Sequence, residues 1–193
     1  MLPGITWRGG PIDDTELLRE LPPELGTLLN ELNGCILQEG ALHIRGASRT
    51  PEWHSLREVW KGPNALHNFY DALEPGDIPF AQDQLGDQFV LRDGSVFILS
   101  AETGELEPFT EDLDEFLEGV SDDIEEFLNV GLDHPLEPGE LLMANPPFCF
   151  EESEGGVDLK PRPAAQVIRL HIALAKKIKD APEGGEIDFK VED

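Results

Sequence analysis

The chain has 193 residues and is strongly acidic, with 40 Asp and Glu against 14 Lys and Arg and a formal net charge of −26. Proteins that hold nucleic acid or dock on anionic membranes neutralise phosphates with basic residues, so this charge argues against both kinds of partner. The length suits one domain, and no apolar run approaches the ~20 residues of a membrane span. The first residues also lack a secretory signal pattern. We therefore expect a single cytoplasmic domain over residues 1–193.

Two cysteines, Cys35 and Cys149, are too few for a disulfide framework, although one bridge between them stays an alternative. We expect both to be reduced, as in a cytoplasmic protein. Each lies among apolar neighbours in the sequence, which favours a structural role over a nucleophilic one.

The acidic residues are concentrated in residues 93–159, which hold 20 of the 40 acidic side chains and no Lys or Arg. Such a block is typical of disorder, but this one also carries enough Val, Ile, Leu and Phe for a core. We therefore expect a folded domain with an acidic face. One interpretation of that face is a solvated surface that maintains solubility, including adaptation to high salt. The other is a surface shaped for a basic partner.

The predicted elements begin with a helical turn over residues 13–20, whose first positions are acidic. A second helix follows, with Pro22 or Pro23 in its first turn, and Gly34 is available for a left-handed cap at its end. Its apolar stripe is formed by Leu25, Leu28, Leu29 and Leu32.

Short strands are predicted within residues 35–46, and the next thirty residues are less regular. Residues 47–76 contain two stretches with helical spacing, Trp53 to Trp60 and Leu66 to Leu73. Aromatic residues at this spacing are usually buried, so we expect both tryptophans to lie in the core or to line a pocket.

The centre of the chain predicts a β-meander. Residues 78–81 lead through a loop to a strand at 88–91, and Asp93-Gly94 is a strong two-residue hairpin signal. The returning strand, 95–99, is apolar on both faces, so we expect it to be central. A second turn at 102–105 leads to a short segment around Leu106.

An apolar stripe of four turns predicts a helix over residues 113–128, with acidic side chains between the stripe positions. Asp112 and Glu115 have the spacing of a capping box at its start. Gly119 weakens its middle, so two helices are the alternative.

The last third of the chain is rich in Pro and Gly up to residue 163, which predicts loops with one or two short strands around 141–143 and 148–150. Residues 164–179 predict a helix with Ile168, Ile172, Ala175 and Ile178 on one side, and its last turn is basic. Alternation then predicts a short terminal strand through Ile187, Phe189 and Val191.

The common catalytic and cofactor motifs are absent from the sequence. The histidines have no metal-ligand spacing, so no metal site is predicted at His43, His54, His67, His134 or His171. Asp83, Gly86 and Asp87 superficially resemble a calcium loop but lack its spacing, so we interpret them as turn residues. A hydrolase site made of paired carboxylates stays an alternative in so acidic a chain.

Three segments carry a family resemblance through their order and spacing. The first frames the second helix with Leu21, Pro22, Asn33 and Gly34. The second is the loop and strand that contain Pro79, Phe80, Asp83, Gly86 and Asp87. The third is the start of the acidic helix, with Phe116 and Leu117. Over residues 15–130 the chain resembles the SUKH superfamily, which includes a yeast cell-wall synthesis regulator and many bacterial proteins.

The resemblance implies an α+β domain with a largely antiparallel sheet and packed helices. It implies a non-enzymatic role without catalytic residues or cofactors, and a structural role for the motif residues. Bacterial members are thought to be immunity proteins that bind and neutralise a toxin, often a nuclease or deaminase. Residues after about 130 lie outside the matched pattern.

The acidity fits this interpretation, because an inhibitor that competes for a basic cleft gains complementary potential and fast association from an acidic face. We predict that the partner is a cognate toxin with a basic surface. We place the contact on the acidic side of the 113–128 segment, at Glu111, Asp112, Asp114, Glu115, Glu118, Asp122, Asp123, Glu125 and Glu126. One alternative is an intracellular regulator or scaffold with several partners. Another is the hydrolase, which requires perturbed carboxylates in one pocket.

Overall fold

A seven-stranded antiparallel sheet is the frame of residues 2–181, the part of the chain that the structure, a computed structural model, describes. Every strand pairs with its neighbour in the sequence, so the sheet order is the chain order. The strands are β1 (Ile5–Arg8), β2 (Cys35–Leu37), β3 (Leu42–Ile44), β4 (Ile78–Asp83), β5 (Gln88–Arg92), β6 (Ser95–Leu99) and β7 (Leu106–Thr110). A separate antiparallel pair follows, formed by β8 (Glu140–Asn145) and β9 (Asp158–Pro163).

Helices pack on this sheet and give the α+β fold that the resemblance implies. They are α1 (Thr15–Glu20), α2 (Pro23–Glu31), α3 (Leu56–Trp60), α4 (Leu113–Asp122), α5 (Ile124–Leu128) and α6 (Ala164–Asp180). Short 3-10 turns lie at Gln38–Gly40, Glu52–His54, Leu66–Asn68 and Glu151–Gly155.

Both faces of the sheet are covered, as the alternation of β5 and β6 shows. Phe89 and Val96 face the main core, which contains the apolar sides of α1 to α5. Val90 and Leu99 face the opposite way, into a second cluster that includes Ala175 of α6. This explains why β6 is apolar on both faces. It is an internal strand between β5 and β7, which confirms the prediction drawn from its two apolar faces.

The predicted hairpin and the first two helices are confirmed. Asp93 and Gly94 have φ angles of 50° and 90°, and two-residue hairpin turns of this kind require a positive φ at both positions. α2 begins at Pro23. Its end differs from the prediction, because it stops at an extended Leu32 and Gly34 therefore is not the helix cap. At Gly34 (φ +74°) a Cβ atom would lie 2.5 Å from the Ile44 carbonyl oxygen, so close strand packing requires glycine there.

The helical spacing in residues 47–76 is only partly realised. α3 covers five residues and buries Trp60, whereas the stretch from Leu66 forms one 3-10 turn and further loop turns. The side chain of Arg92 donates to the Ala72 carbonyl at 2.8 Å, and so takes an acceptor that a continuing helix would use.

The acidic segment forms two helices, and the break lies at Asp123 instead of Gly119. Asp123 is extended (φ −155°) and caps α5 by accepting the N–H of Glu126 at 3.1 Å. Gly119 stays helical inside α4. A Cβ atom there would lie 2.3 Å from the Phe127 ring, so the glycine lets α5 fold back onto α4.

The C-terminal part confirms the strand near 141–143 and the helix from Ala164, but residues 148–150 are not a strand. Pro146 and Pro147 have no N–H to offer a ladder, and the N–H groups of Phe148 and Cys149 donate to the carboxylate of Glu102. The partner of β8 is instead β9, which the sequence analysis did not predict. The predicted terminal strand at 187–191 lies outside the described residues.

We expect the variant Gly119→Ala to lower the free energy of unfolding by up to about 2 kcal/mol. Overpacking against the Phe127 ring costs about 1–3 kcal/mol, which outweighs the ~1 kcal/mol that alanine gains over glycine in a helix. Urea unfolding measures the change. In a Phe127→Ala background the same substitution should be neutral or stabilising, and a stabilising effect in the wild-type background would contradict the close approach.

Candidate functional site

The acidic side of α4 and α5 faces solvent, as predicted. All nine carboxylates named above are exposed, while Leu113, Phe116 and Val120 of α4 are buried against the sheet. The prediction that these acids form a partner-binding face is therefore compatible with their positions, but they do not have equal roles.

Several of these acids accept hydrogen bonds from backbone N–H groups at the start of a helix. Asp112 accepts the N–H of Glu115 at 2.9 Å, and Glu115 accepts the N–H of Glu111 at 2.7 Å. The predicted capping box is thus half realised, because the return bond goes to the N–H one residue earlier. Asp123 caps α5. These contacts account for three carboxylates without any partner.

Asp114, Glu118 and Asp122 do not cap a helix in this way. They follow one another at intervals of four residues, which places them on one side of α4. Within residues 2–181 none of the three forms an ion pair. Like charges at this spacing destabilise a helix by about 0.2–0.5 kcal/mol per pair, and Asp122 also lies at the negative end of the helix dipole. Asp114 lies in the first turn, where the dipole favours a negative charge, so the unfavourable part of the stripe is Glu118 and Asp122 with their like-charged neighbours.

A groove of about 580 Å³ runs between α2 and α4, and the acidic stripe forms one of its walls. We call it the α2–α4 groove. Its apolar floor consists of Leu2, Leu28, Leu32 and Leu117, all half-buried and packed on the main core. Its polar lining consists of Arg8, Glu31, Asp114, Glu118, Ser121 and Asp122.

A smaller groove of about 300 Å³ adjoins it and shares Ser121 and Asp122. It is lined by Pro3, Gln38, residues 120–125 and Leu132, and so includes the predicted site residues Asp122, Asp123 and Glu125. The remaining predicted residues, Glu111, Asp112, Glu115 and Glu126, line neither groove. Sequence reasoning found the acidic wall but missed the α2 wall, because nothing in the spacing of residues 23–32 indicates which helix faces it.

Hydrogen bonds from backbone N–H groups to one aspartate side chain shape the loop after β4. A single carboxylate oxygen of Asp83 accepts the N–H groups of Leu85, Gly86 and Asp87 at 2.8–3.0 Å. Burial raises the pKa of the Asp83 carboxyl, and the neighbouring Asp87 raises it further. The interpretation of these residues as turn formers agrees with this geometry, since the carboxylate is occupied by backbone N–H groups.

This loop also joins the sheet to the C-terminal elements. Gln84 accepts the N–H of Leu142 in β8 at 2.8 Å, and the His171 ring of α6 packs against Gly86. Asp87 accepts the N–H of Ala101 at 2.8 Å, and Glu102 holds the turn at 148–149. Burial lowers the pKa of His171. The polar groups of this junction therefore position β8 and α6 on the sheet.

The other motif residues lie in the packing between helices and strands. Asn33 is buried and donates from its amide to Gly10 and Ser48, while its side-chain oxygen accepts the N–H of Ala47 at 2.7 Å. The Pro79 carbonyl accepts from the buried Arg45 at 2.8 Å. Leu21 and Pro22 form the junction of α1 and α2, and Phe80 and Phe116 are fully buried. Leu117 differs from these, because it lies in the floor of the α2–α4 groove.

Two histidines that are scattered in the sequence meet in the structure. His54 Nε2 lies 2.9 Å from the Asn33 carbonyl, which can only accept, so His54 donates there. Its Nδ1 then accepts from His43 Nε2 at 2.9 Å. Trp7 and Trp53 pack on the pair, with Trp53 half-buried. Both rings are neutral and hydrogen-bonded, so the cluster has a structural role.

Metal binding and thiol chemistry both place requirements on the histidines, cysteines and carboxylates of the described residues. Among residues 2–181, no three His, Cys, Asp or Glu side chains come together as a possible metal-binding group. Cys35 and Cys149 are both free thiols. Cys35 is buried, whereas Cys149 is exposed in the turn held by Glu102. Burial raises the pKa of the Cys35 thiol to about 12, and partial desolvation together with the charge of Glu102 raises that of Cys149 to about 12, which disfavours the nucleophilic thiolate at neutral pH.

The described part of the chain also contains no helix with both the length and the apolar character needed to cross a bilayer.

We expect the histidine pair to make the fold sensitive to mild acid. Burial lowers the pKa of His54 to about 4 and that of His43 well below its ordinary value. Between about pH 6.5 and 4 these two histidines therefore bind more protons in the unfolded chain than in the native one, so their contribution to the free energy of unfolding falls as the pH falls. His54 alone should account for roughly 3 kcal/mol of this loss.

Denaturant unfolding at a series of pH values checks this expectation. The variant His54→Gln keeps a donor for the Asn33 carbonyl but cannot ionise, so its stability should depend less on pH over this range. The exposed His134 offers the matched control His134→Gln, which should keep the wild-type slope. Equal slopes in all three proteins would contradict the role of the pair.

Comparison with known families supports the family resemblance. A family model described as SMI1 / KNR4 family (SUKH-1) matches residues 15–119. No curated protein and no solved structure matches the chain. The matched range begins at α1 and ends inside α4, so it includes α2 and the first part of α4 but leaves out Ser121 and Asp122 of the groove, together with β1, α5, β8, β9 and α6. The chain belongs to the SMI1 / KNR4 family (SUKH-1), as the sequence resemblance indicated.

Proposed function

We propose that this chain is a non-enzymatic binding protein that holds a basic protein partner in the α2–α4 groove. We further propose that the partner is a toxin, which the chain neutralises in the manner of immunity proteins. The observation that carries the proposal is the stripe of Asp114, Glu118 and Asp122 beside an apolar floor. Family membership supports a binding role.

The energetics of α4 favour a partner over a merely soluble surface. Solubility needs negative charge somewhere, but it does not need three carboxylates aligned on one side of one helix, next to half-buried leucines. Among residues 2–181 none of the three forms an ion pair, and Arg8 is the one basic side chain in the groove lining, so lysine or arginine side chains of a partner would offset the repulsion that remains. Binding of such a partner then relieves the repulsion that destabilises α4 in the free chain, and this relief contributes favourably to the free energy of binding.

The net charge favours fast association with the same class of partner. Half of the acidic residues lie in a block without basic residues, so a basic protein approaches a strongly negative potential. Such steering raises the association rate and makes it sensitive to salt. A toxin that binds nucleic acid carries the basic cleft that this potential complements.

A hydrolase is less well supported by the positions of the perturbed carboxylates. Asp83 and Asp87 have raised pKa values through burial, but both accept backbone N–H groups and neither lines the α2–α4 groove. The groove lining consists of carboxylates and leucines with Arg8 and Ser121, and the Ser121 hydroxyl donates to the Leu117 carbonyl at 2.7 Å and has no histidine beside it in the lining. Its composition suits a protein contact.

The charge-reversal variant Asp114→Lys/Glu118→Lys/Asp122→Lys tests the proposal. Immobilised wild-type protein, used on an extract of the native cell, should retain one basic protein at low salt and lose it at high salt. The triple variant should retain less than about a tenth of it, because repulsion replaces attraction along the groove wall. The matched control is Glu151→Lys/Glu152→Lys/Glu154→Lys, which makes the same change in net charge at exposed positions outside the groove.

Equal retention by the two variants would contradict the groove as the binding site. Retention of several proteins of ordinary cellular function by the wild type, each weakly, would favour a regulator or scaffold over an immunity protein.

The single variant Glu118→Lys separates a functional stripe from a structural one. It converts two repulsive pairs on α4 into attractive ones, so we expect the free energy of unfolding to rise by about 0.5–1 kcal/mol. Partner retention should fall in the same variant. Thermal or urea unfolding and the retention assay give the two readouts, and a loss of stability would show that Glu118 supports the fold.

A further inference from the structure

We infer that the partner element in the α2–α4 groove is an amphipathic α-helix with Lys or Arg along one side and large aliphatic side chains beside them. This inference rests on the proposed function, because it specifies what occupies the same groove. It is carried by the shape and chemistry of the two walls and the floor.

The apolar floor of the groove favours aliphatic side chains on the partner. Leu28, Leu32 and Leu117 pack on the main core with their inner sides and remain half-exposed on their outer sides. A volume of about 580 Å³ above them has room for several side chains. Water in contact with this floor is released when aliphatic groups enter, which is the main favourable term in association.

The wall sets the spacing of the basic residues. Asp114, Glu118 and Asp122 advance along α4 by about 6 Å per step and about 12 Å in all, from a rise of 1.5 Å per residue. If a partner helix lies alongside α4 and its basic residues are also four positions apart, their charges are spaced by the same ~6 Å as the carboxylates of α4. Glu31 on the α2 side adds a carboxylate across the groove. Helices that enter grooves in this way present anchors at positions i, i+3, i+4 and i+7.

An extended peptide fits the groove less well. A strand binds mainly through main-chain hydrogen bonds to a free sheet edge. The long wall here is α4, the opposite side is the last turn of α2 with Leu28 and Glu31, and the edge strand β1 contributes only Arg8 to the lining.

This chain itself offers no suitable occupant. Residues 182–193 contain five acidic side chains and one lysine, so their charge opposes the groove wall. The most basic helix is α6, with Lys176, Lys177 and Lys179 near its end, but Val167 and Leu174 on its apolar side are already buried. A second copy would bring a further net charge of −26. The occupant therefore belongs to a different, basic protein.

A pair of synthetic peptides tests the inference with full-length protein. Both have ~18 residues, or five helical turns, and the same composition of Leu, Lys and Ala. In one the order gives a leucine stripe flanked by lysines four apart, and in the other the order is scrambled so that no helical face is apolar. Fluorescence anisotropy of labelled peptide at about 0.15 M salt, where exposed charges are screened beyond ~8 Å, gives the affinities.

We expect the amphipathic peptide to bind at least about tenfold more tightly than the scrambled one. The variant Leu28→Gln should reduce the affinity for the amphipathic peptide about tenfold. Its matched control is Leu18→Gln, which alters a leucine that is also half-buried on the main core but does not line the groove. The control should bind the peptide as the wild type does.

Equal binding of the two peptides, or no binding of either, would overturn the helical occupant. An equal effect of the two leucine variants would also overturn it, because the groove floor would then make no specific contact. These results would leave the proposed function standing if the native basic partner is still lost on charge reversal of α4. Retention of that partner by the charge-reversal variant would instead remove the proposed function.

Discussion

Phe116 lies at the centre of five phenylalanine rings, and this cluster determines where α4 stands on the sheet. Its ring centroid is 5.3 Å from that of Phe80, 4.9 Å from Phe89, 6.1 Å from Phe109 and 5.8 Å from Phe127. The cluster connects β4, β5, β7, α4 and α5, so the helix cannot shift without separating several rings. Because the apolar side of α4 is fixed inward, its acidic side is fixed outward along the groove.

The same cluster explains how the chain tolerates an unfavourable surface. Aromatic pairs contribute about 0.5–1.5 kcal/mol each beyond simple burial, whereas each like-charge pair on α4 costs about 0.2–0.5 kcal/mol. Four ring contacts around Phe116 therefore exceed the repulsion between Asp114, Glu118 and Asp122 several times over. The core holds the carboxylates in an arrangement that a free helix would resist. Such preorganisation is what a basic partner needs, since it does not have to order the charges itself.

Local signals in the sequence were sufficient wherever a few neighbouring residues decide the structure. Asp93-Gly94 dictates its own hairpin, and the α4 stripe dictates which side is buried. The predictions failed where a residue far away in the sequence determines the local structure. Gly119 looks like a helix breaker until Phe127 is seen to occupy the space of its missing side chain. The turn at 148–149 depends on Glu102, far back in the chain, and β9 was hidden by its two prolines. The groove likewise needs α2 and α4 together, and no periodicity in either helix specifies the other.

The sequential order of the seven strands has a consequence for the way the chain is made. Each strand finds its partner in the segment just before it, so the sheet can grow by one strand at a time as the ribosome releases the chain. The groove is complete once α4 has emerged, whereas the cluster on the opposite face, where Val90 and Leu99 already meet Leu66 and Leu73, is completed only by α6. During synthesis the groove side of the sheet is therefore finished first, and part of the opposite apolar face stays uncovered until α6 arrives.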